Sequence, residues 1–229
     1  MAEAAKALDN SEEAEAPKPS KELNKSNSAR ELVFGIVGHV GSGTSTVAND
    51  LCNILASQTV DEEQQEAVVL KARSVIEGWA KANNEDLPTE QTPKMEAVSR
   101  FQDLGDKMRA AGDHAAVARG LIRLVREQRA TFQGTEVAEE EPVNPDGKPR
   151  AYVLDSLRHP AEVHLLRRVY GDAFVLVGVV CEEETRATRI SHKYTDVSCC
   201  WFRGHEDKIV TKESEIGHGK TEVHEGVQV

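Results

Sequence analysis

Three glycines within six residues separate an apolar run at 32–37 from an amphipathic run at 47–55. Gly38, Gly41 and Gly43 can adopt the backbone conformations of a tight turn, which other residues disfavour. A short, apolar and partly β-branched run is typical of a buried parallel strand, and the apolar positions after the turn recur at helical spacing. The order of strand, glycine turn and helix therefore predicts the opening unit of an α/β fold.

The glycine turn has the spacing of a phosphate-binding loop, which reads Gly-x-x-x-x-Gly-Lys followed by Ser or Thr between a strand and a helix. Gly38 and Gly43 take the two glycine positions, and Ser45 takes the hydroxyl position that reaches Mg²⁺. Backbone amides in such a turn attract an anion, and the helix N-terminus adds partial positive charge. We predict a site for Mg²⁺ and the phosphates of ATP or a deoxynucleotide, formed by Gly38, Gly41, Ser42, Gly43, Thr44, Ser45 and Thr46.

Thr44 stands where this pattern has lysine. A lysine would place a full positive charge on the phosphates, where negative charge develops during phosphoryl transfer. A threonine donates a hydrogen bond but carries no charge, so we expect catalysis to suffer more than binding. The loop pattern therefore does not decide whether the chain is an enzyme, and a glycine turn without any ligand stays open as the alternative.

The chain continues as alternating strands and helices. We predict further strands at 67–72, 151–154 and 174–180, the last of them buried on both faces. Further helices are predicted from Ser74, as the cap, to the break at Pro88, then over 93–130 with interruptions near Gly112 and Gly120, and over 160–170 and 182–194. This alternation predicts a three-layer α/β fold of the P-loop nucleotide-kinase type, with a mainly parallel sheet that lacks its last strand.

Polar residues that follow the third and fourth strands are candidates for the same site, because ligands bind at the carboxyl ends of parallel strands. Asp155 is predicted as the second Mg²⁺ ligand and, with Arg158, as a catalytic candidate; a turn or helix cap and a surface arginine are the alternatives. Arg186 and Arg189 lie on one helix face and are predicted to bind nucleotide phosphates. Solvated arginines paired with the acidic residues 182–184 would explain them equally well.

Composition limits the partners. The 229 residues include 28 Lys and Arg against 39 Asp and Glu, a formal net charge of -11 that argues against broad nucleic-acid binding. No stretch approaches the roughly 18 apolar residues of a membrane span. The four cysteines lack the spacing of a disulfide framework, so we expect a cytoplasmic protein.

We predict a disordered tail at 1–29, a nucleotide-binding domain at 30–196 and an irregular tail at 197–229.

Two motifs resemble the amino-terminal P-loop domain of bacterial deaminases related to deoxycytidylate deaminase, a family that includes anti-phage dCTP deaminases. One is Gly-His-Val-Gly-Ser-Gly-Thr-Ser at 38–45, and the other is Leu-Asp-Ser-Leu-Arg-His-Pro-Ala-Glu-Val at 154–163. Residues 177–180 with Arg186, Arg189 and Tyr194 fit the fourth strand and the following helix, so the similarity covers roughly residues 31 to 196. The resemblance implies a domain that senses or binds a nucleotide, beside a zinc domain that deaminates dCTP or dCMP in antiviral defence. It also implies that the protein forms a homo-oligomer.

The chain departs from that family after Asp196. Zinc deaminases need His-x-Glu and Pro-Cys-x-x-Cys to hold the metal and move protons. Neither Cys199-Cys200 nor His205-Glu206 has this spacing, so we predict no zinc site. A truncated or frameshifted reading frame would explain both the lost strand and the irregular tail. Three functions stay open: a regulatory nucleotide-binding module, a deoxynucleoside monophosphate kinase-like phosphotransferase, and an inert fragment.

Overall fold

Four parallel strands form the central sheet. The computed structural model describes residues 29–136 and 142–194. In chain order the strands are β1 (Glu31–Gly38), β2 (Thr59–Val60), β3 (Glu63–Gln64), β4 (Glu66–Lys71), β5 (Arg150–Leu157) and β6 (Phe174–Val179). β2 and β3 form a separate antiparallel hairpin, and the main sheet has the order β4–β5–β1–β6. β1 therefore lies inside the sheet, between two parallel neighbours.

Helices cover both faces of this sheet. They are α1 (Thr44–Ala56), α2 (Ala72–Ala82), α3 (Lys94–Ala111), α4 (Ala116–Gln133), α5 (Pro160–Tyr170) and α6 (Glu183–Lys193), with a 3-10 turn at Gly171–Ala173. Alternate residues of β1 serve two cores, as strand geometry requires: Val33 and Val37 belong to the larger one, and Phe34 and Ile36 to the smaller one beneath α1. The predicted α/β fold with a mainly parallel sheet is confirmed. Within the described residues, no helix has the length and apolarity needed to cross a bilayer.

A buried ionic cluster fixes the amino-terminal ends of the strands, at the edge away from the glycine turn. Glu31, Arg150 and Glu66 are register partners on β1, β5 and β4. Arg150 Nε donates to Glu66 Oε2 at 2.8 Å, and Arg129 Nη2 donates to Glu31 Oε2 at 2.5 Å. Burial, and then the charge of Glu31, raise the pKa of the Tyr152 hydroxyl, which also donates to Glu31. A shift of β1 would separate the buried Glu31 carboxylate from Arg129, and the loss of a partner to a buried charge typically costs about 3–5 kcal/mol.

Two strand predictions are wrong. β5 does not end at Asp155 but continues to Leu157 through a one-residue shift of register against β1. β6 is not buried on both faces, since Val175 is 41% exposed and Val180, just beyond the strand, is 94% exposed. Among the described residues β6 pairs with β1 alone, so it is an edge strand, and neighbouring elements cover the faces of an edge strand less completely than those of a central strand. The predicted loss of a last strand and nearly all of both predicted tails fall on residues 1–28 and 195–229, outside the described part of the chain.

The helical run of residues 94–133 breaks once, not twice. Gly112 follows the end of α3 as predicted, but Gly120 lies inside α4. A Cβ at Gly120 would lie 2.1 Å from Val75 Cγ1, so the missing side chain is what lets α2 and α4 approach each other. The prediction that Ser74 caps α2 is also wrong, because this helix begins at Ala72, directly after β4.

Gly120→Ala is expected to lower the free energy of unfolding by about 1–3 kcal/mol, because overpacking against Val75 outweighs a gain of about 1 kcal/mol in helix propensity. Urea unfolding followed by circular dichroism measures the change. Gly78→Ala in α2 is the matched control, since no described atom lies within 4 Å of its Cβ position. We expect the control to gain about 0.5–1 kcal/mol. Equal stabilisation of both variants would contradict the close approach of α2 and α4.

Candidate functional site

A cleft of about 1070 Å³ opens at the carboxyl ends of β1, β5 and β6. Its walls come from the loop after β1, the end of β5, and parts of α2, α3 and α6. Of the residues predicted from the sequence, those that line it are Gly38, Gly41, Gly43, Thr44, Ser45, Thr46, Asp155, Arg158 and Arg189. Ser42 is buried and Arg186 is half-buried, and neither lines the cleft. The fold thus brings most of the predicted site residues into one cavity.

The loop between β1 and α1 turns through two left-handed glycines. The φ angle is 83° at Gly41 and 96° at Gly43, in a region that side chains disfavour. The Ser42 amide donates to the His39 carbonyl at 3.1 Å, which tightens the turn. Gly43 is the N-cap of α1 and has no side chain with which to bind the first amides of the helix. These N–H groups therefore point out of the helix start without a side-chain acceptor, the arrangement that binds anions.

Gly38 is required where β1 enters the loop. A Cβ there would lie 2.6 Å from the Val179 carbonyl oxygen and 2.8 Å from both Ser42 Oγ and Thr44 Cγ2. The Ser42 hydroxyl is buried and has no hydrogen-bond partner among the described residues. The loop therefore folds down onto the end of the sheet, with the Ser42 side chain in its interior.

A hydrogen bond joins the two predicted metal ligands. The Ser45 hydroxyl, in the first turn of α1, donates to Asp155 Oδ2 at 2.8 Å. Ser156 Oγ donates to Asp155 Oδ1 at 2.9 Å, and Ser156 itself has a φ of 73°. This is where β5 gains one residue against β1, a bulge of the kind that redirects a side chain. The alternative role of Asp155 as the helix cap is excluded, because His159 caps α5.

The oxygens of Ser45 and Asp155 fit Mg²⁺ bound together with a nucleotide. Mg²⁺ prefers hard oxygen ligands and is usually held by one or two carboxylates, with phosphates and waters completing its shell. Among the described residues, no cluster of three or more His, Cys, Asp or Glu could hold a metal. The residues considered for zinc, Cys199, Cys200 and His205, lie outside the described ranges.

A buried ion pair lies behind the cleft wall, which Arg109 lines. Arg109 Nε and Nη2 donate to Glu162 Oε1 at 3.0 and 2.8 Å, and Glu162 Oε2 accepts the backbone amides of Arg158 and His159. His159 Nδ1 accepts a further amide of α5. Burial, and then the neighbouring ring of His114, lower the pKa of His159, which favours the neutral ring that this acceptor role requires. The Arg109 charge is neutralised here, so the pair positions the segment that carries Arg158.

Several residues that line the cleft were not predicted from the sequence. Lys71 ends β4, and the rule that pointed to Asp155, that ligands bind at the carboxyl ends of strands, also applies to it. Phe101 and Gln102 line the cleft from the middle of α3, where a helical pattern does not distinguish them from core or surface residues. The Arg73 guanidinium lies 3.9 Å from the centroid of the Phe101 ring, a contact that depends on how α2 and α3 pack.

α6 packs directly against the glycine loop. A Cβ at Gly41 would lie 2.8 Å from Ile190 Cγ1 and 3.1 Å from the Arg186 carbonyl oxygen. One residue before Ile190, Arg189 Nη1 donates to the Ser42 carbonyl at 3.3 Å. Of the two predicted phosphate-binding arginines, Arg189 therefore reaches the loop with its side chain, whereas Arg186 approaches it with its backbone.

Comparisons with known proteins do not identify a family. No protein-family model matches the chain, and no curated protein matches it. Among solved structures, TT1252 from Thermus thermophilus is 16% identical, with 81% of this chain and 80% of that chain covered and a TM-score of 0.38. APE1195 is 15% identical, with 86% and 81% covered and a TM-score of 0.38. At these values neither similarity supports an inference about function, so the site stands on its own geometry.

Gly38→Ala is expected to lower the free energy of unfolding by about 1–3 kcal/mol, because the Val179 carbonyl that its Cβ would meet is backbone and cannot rotate away. The matched control is Gly178→Ala on the neighbouring strand β6, where no described atom lies within 4 Å of the Cβ position. We expect the control to change stability by less than about 0.5 kcal/mol. Urea unfolding compares the two, and a Gly38→Ala variant as stable as the control would contradict the tight turn.

Proposed function

We propose that this chain binds the phosphate groups of a nucleotide, together with Mg²⁺, in the cleft. The observation that carries the proposal is the 2.8 Å hydrogen bond between Ser45 and Asp155 beside a glycine turn that leaves the start of α1 without a side-chain cap. A glycine turn alone would suit a simple bend. A buried carboxylate beside a hydroxyl at the same helix start adds the oxygen ligands of a metal–phosphate site.

The groups of the chain have separate tasks in this proposal. Backbone amides at the start of α1 donate to phosphate oxygens, and the positive end of the helix dipole adds to their attraction. Ser45 and Asp155 would hold the metal, and the Ser156 hydroxyl orients the Asp155 carboxylate. Bound Mg²⁺ would supply positive charge that neutralises the phosphates. The backbone part of this binding does not depend on the side chain of Thr44.

We further propose that the bound nucleotide, an NTP or dNTP, acts as a regulatory signal for a defence protein of the deoxycytidylate or dCTP deaminase type. This finer proposal rests on the sequence resemblance. Its support is that both motifs of the resemblance, at 38–45 and 154–163, contribute to one cleft. A regulatory role is favoured because Thr44 brings no charge for transfer chemistry, and because the sequence contains neither His-x-Glu nor Pro-Cys-x-x-Cys.

A deoxynucleoside monophosphate kinase-like phosphotransferase is the second candidate. The observation in its favour is that the cleft extends beyond the glycine loop to Lys71, Phe101 and His164. Its volume of about 1070 Å³ reaches the upper end of the usual range for small-molecule sites, about 300–1,000 Å³. A second ligand therefore has room beside the one held by the loop.

Thermal unfolding with Mg²⁺ and ATP, GTP, dCTP or dCMP tests the binding proposal. A ligand present at about 100 times its dissociation constant adds roughly 2.7 kcal/mol of stability, so we expect at least one nucleotide to raise the midpoint. Gly43→Asp is expected to abolish that rise, because its carboxylate would repel phosphate. Gly134→Asp is the matched control: Gly134 also has a positive φ, 66°, and no described atom lies within 4 Å of its Cβ position. It should lower the starting midpoint and keep the shift.

The outcomes separate the open functions. A cooperative transition that no nucleotide shifts would contradict nucleotide binding, and the absence of any transition would favour the inert fragment. The largest shift with dCTP or dCMP would support the deaminase-type role. A shift with ATP and none with a deoxycytidine nucleotide would leave binding and a regulatory NTP intact, and would exclude deoxycytidine nucleotides as the signal.

A phosphoryl-transfer assay with ATP and deoxynucleoside monophosphates decides between regulation and kinase activity. We expect the wild-type chain to show no more turnover than Asp155→Ala, because the loop lysine is missing. Asp172→Ala, at an exposed position in the turn before β6, controls for the loss of a carboxylate. Wild-type turnover that persists in the control and disappears in Asp155→Ala would establish the kinase alternative instead.

A further inference from the structure

We propose that Arg189 supplies the positive charge that the glycine loop lacks at Thr44. The inference rests on the proposed function and deepens it: it names the side chain that determines how tightly the terminal phosphates of a nucleoside triphosphate are held. The ligand class that follows is a polyphosphate whose oxygens reach beyond the backbone amides of the loop.

The Arg189 guanidinium lies on the loop itself. Nη1 donates to the Ser42 carbonyl at 3.3 Å and to Cys181 Sγ at 3.5 Å, and it lies 3.6 Å from the Cβ position of Gly43. It is therefore close to the backbone from which a loop lysine would extend at position 44. A guanidinium has five N–H donors in a planar fork, so it can bind phosphate oxygens while it remains in contact with the loop.

The packing of α6 places Arg189 beside the loop. Ile190, the next residue, contacts Gly41 so closely that any side chain on this glycine would collide with it. Ile190 and Tyr194 are buried together with Met95 of α3, and Val40 of the loop packs against this cluster. The arginine is thus presented by a helix that packs against both the loop and α3. A charge held in advance loses less conformational entropy on binding than a free side chain does.

Two other arginines of the cleft pair with carboxylates. Arg109 pairs with Glu162 at 2.8 Å, and Arg73 pairs with Glu77 at 2.9 Å. Arg189 instead donates to a carbonyl and a sulfur, and no carboxylate among the described residues lies within ion-pair distance of it. Its charge therefore remains available to an anion in the loop.

The test is a double-mutant cycle between positions 44 and 189, measured by isothermal titration calorimetry with Mg²⁺–ATP and with inorganic triphosphate. We expect Arg189→Ala to weaken binding by about 10- to 100-fold, the range for a hydrogen bond to a charged group. Thr44→Lys combined with Arg189→Ala should bind within about threefold of wild type, because the new lysine takes over the same task. Arg189→Lys should fall between, since it keeps the charge and loses the fork.

A further variant shows whether placement or mere charge matters. Arg123→Ala removes an exposed charge on α4 that pairs with Glu127 and does not line the cleft. We expect it to change the affinity by less than about threefold, because Arg123 lies away from the loop. Arg189 is exposed, so thermal midpoints without ligand should be alike for all variants at this position.

The outcomes separate the two ideas. Unchanged binding by Arg189→Ala, or a double variant as weak as Arg189→Ala alone, would overturn the inference and leave nucleotide binding standing. Binding that appears only in Thr44→Lys would overturn the inference together with the proposed function, since the wild-type chain would then bind no nucleotide. If neither wild type nor Thr44→Lys binds ATP or triphosphate, the proposed function itself is wrong and the inference falls with it.

Discussion

The parallel pairing of β1 with β5 creates the candidate site. Both strands end at the same edge, so Ser45 and Asp155 meet although 110 residues separate them in the chain. The bulge and the left-handed backbone at Ser156 then aim the carboxylate at the start of α1. A left-handed non-glycine residue typically costs about 1–3 kcal/mol, and such strain tends to occur where a side chain must be held in a functional direction. At the other end of the strands, the buried Arg150 of β5 lies 4.0 Å from Glu31 of β1 and pairs with Glu66 of β4 at 2.8 Å, which holds these three strands in register.

Missing side chains shape the phosphate loop as much as present ones do. Gly38 lets the loop fold onto the carbonyl of Val179, and Gly41 lets α6 approach until Ile190 touches it. The loop is consequently enclosed between the end of the sheet and a packed helix. In this enclosed loop, the amides at the start of α1 and the side chain of Arg189 face the cleft. The loop therefore has less conformational freedom to lose when a phosphate binds.

Features that depend on local pattern were predictable from the sequence, and features that depend on packing were not. The apolar run before Gly38 and the turn itself located β1, the loop and α1, because periodicity and glycine spacing are local signals. The bulge at Ser156, the interior position of Gly120 and the exposed edge of β6 depend on what lies across the sheet or on the next helix. Helical spacing likewise predicts Arg186 and Arg189 on one face. Only the packing of α6 against the loop shows that the Arg189 side chain reaches the loop and that the Arg186 side chain does not line the cleft.

Thr44 separates two properties that a phosphate loop usually combines. Ground-state binding depends largely on backbone amides and on the helix start, and residue 44 contributes its amide whatever its side chain. Transfer of a phosphoryl group needs positive charge where negative charge develops, and a hydroxyl does not provide it. In the proposed arrangement, the Arg189 guanidinium on the loop would restore attraction for the terminal phosphates. A nucleotide sensor needs binding but no phosphoryl transfer, so threonine at position 44 favours the proposed regulatory role over the kinase-like alternative.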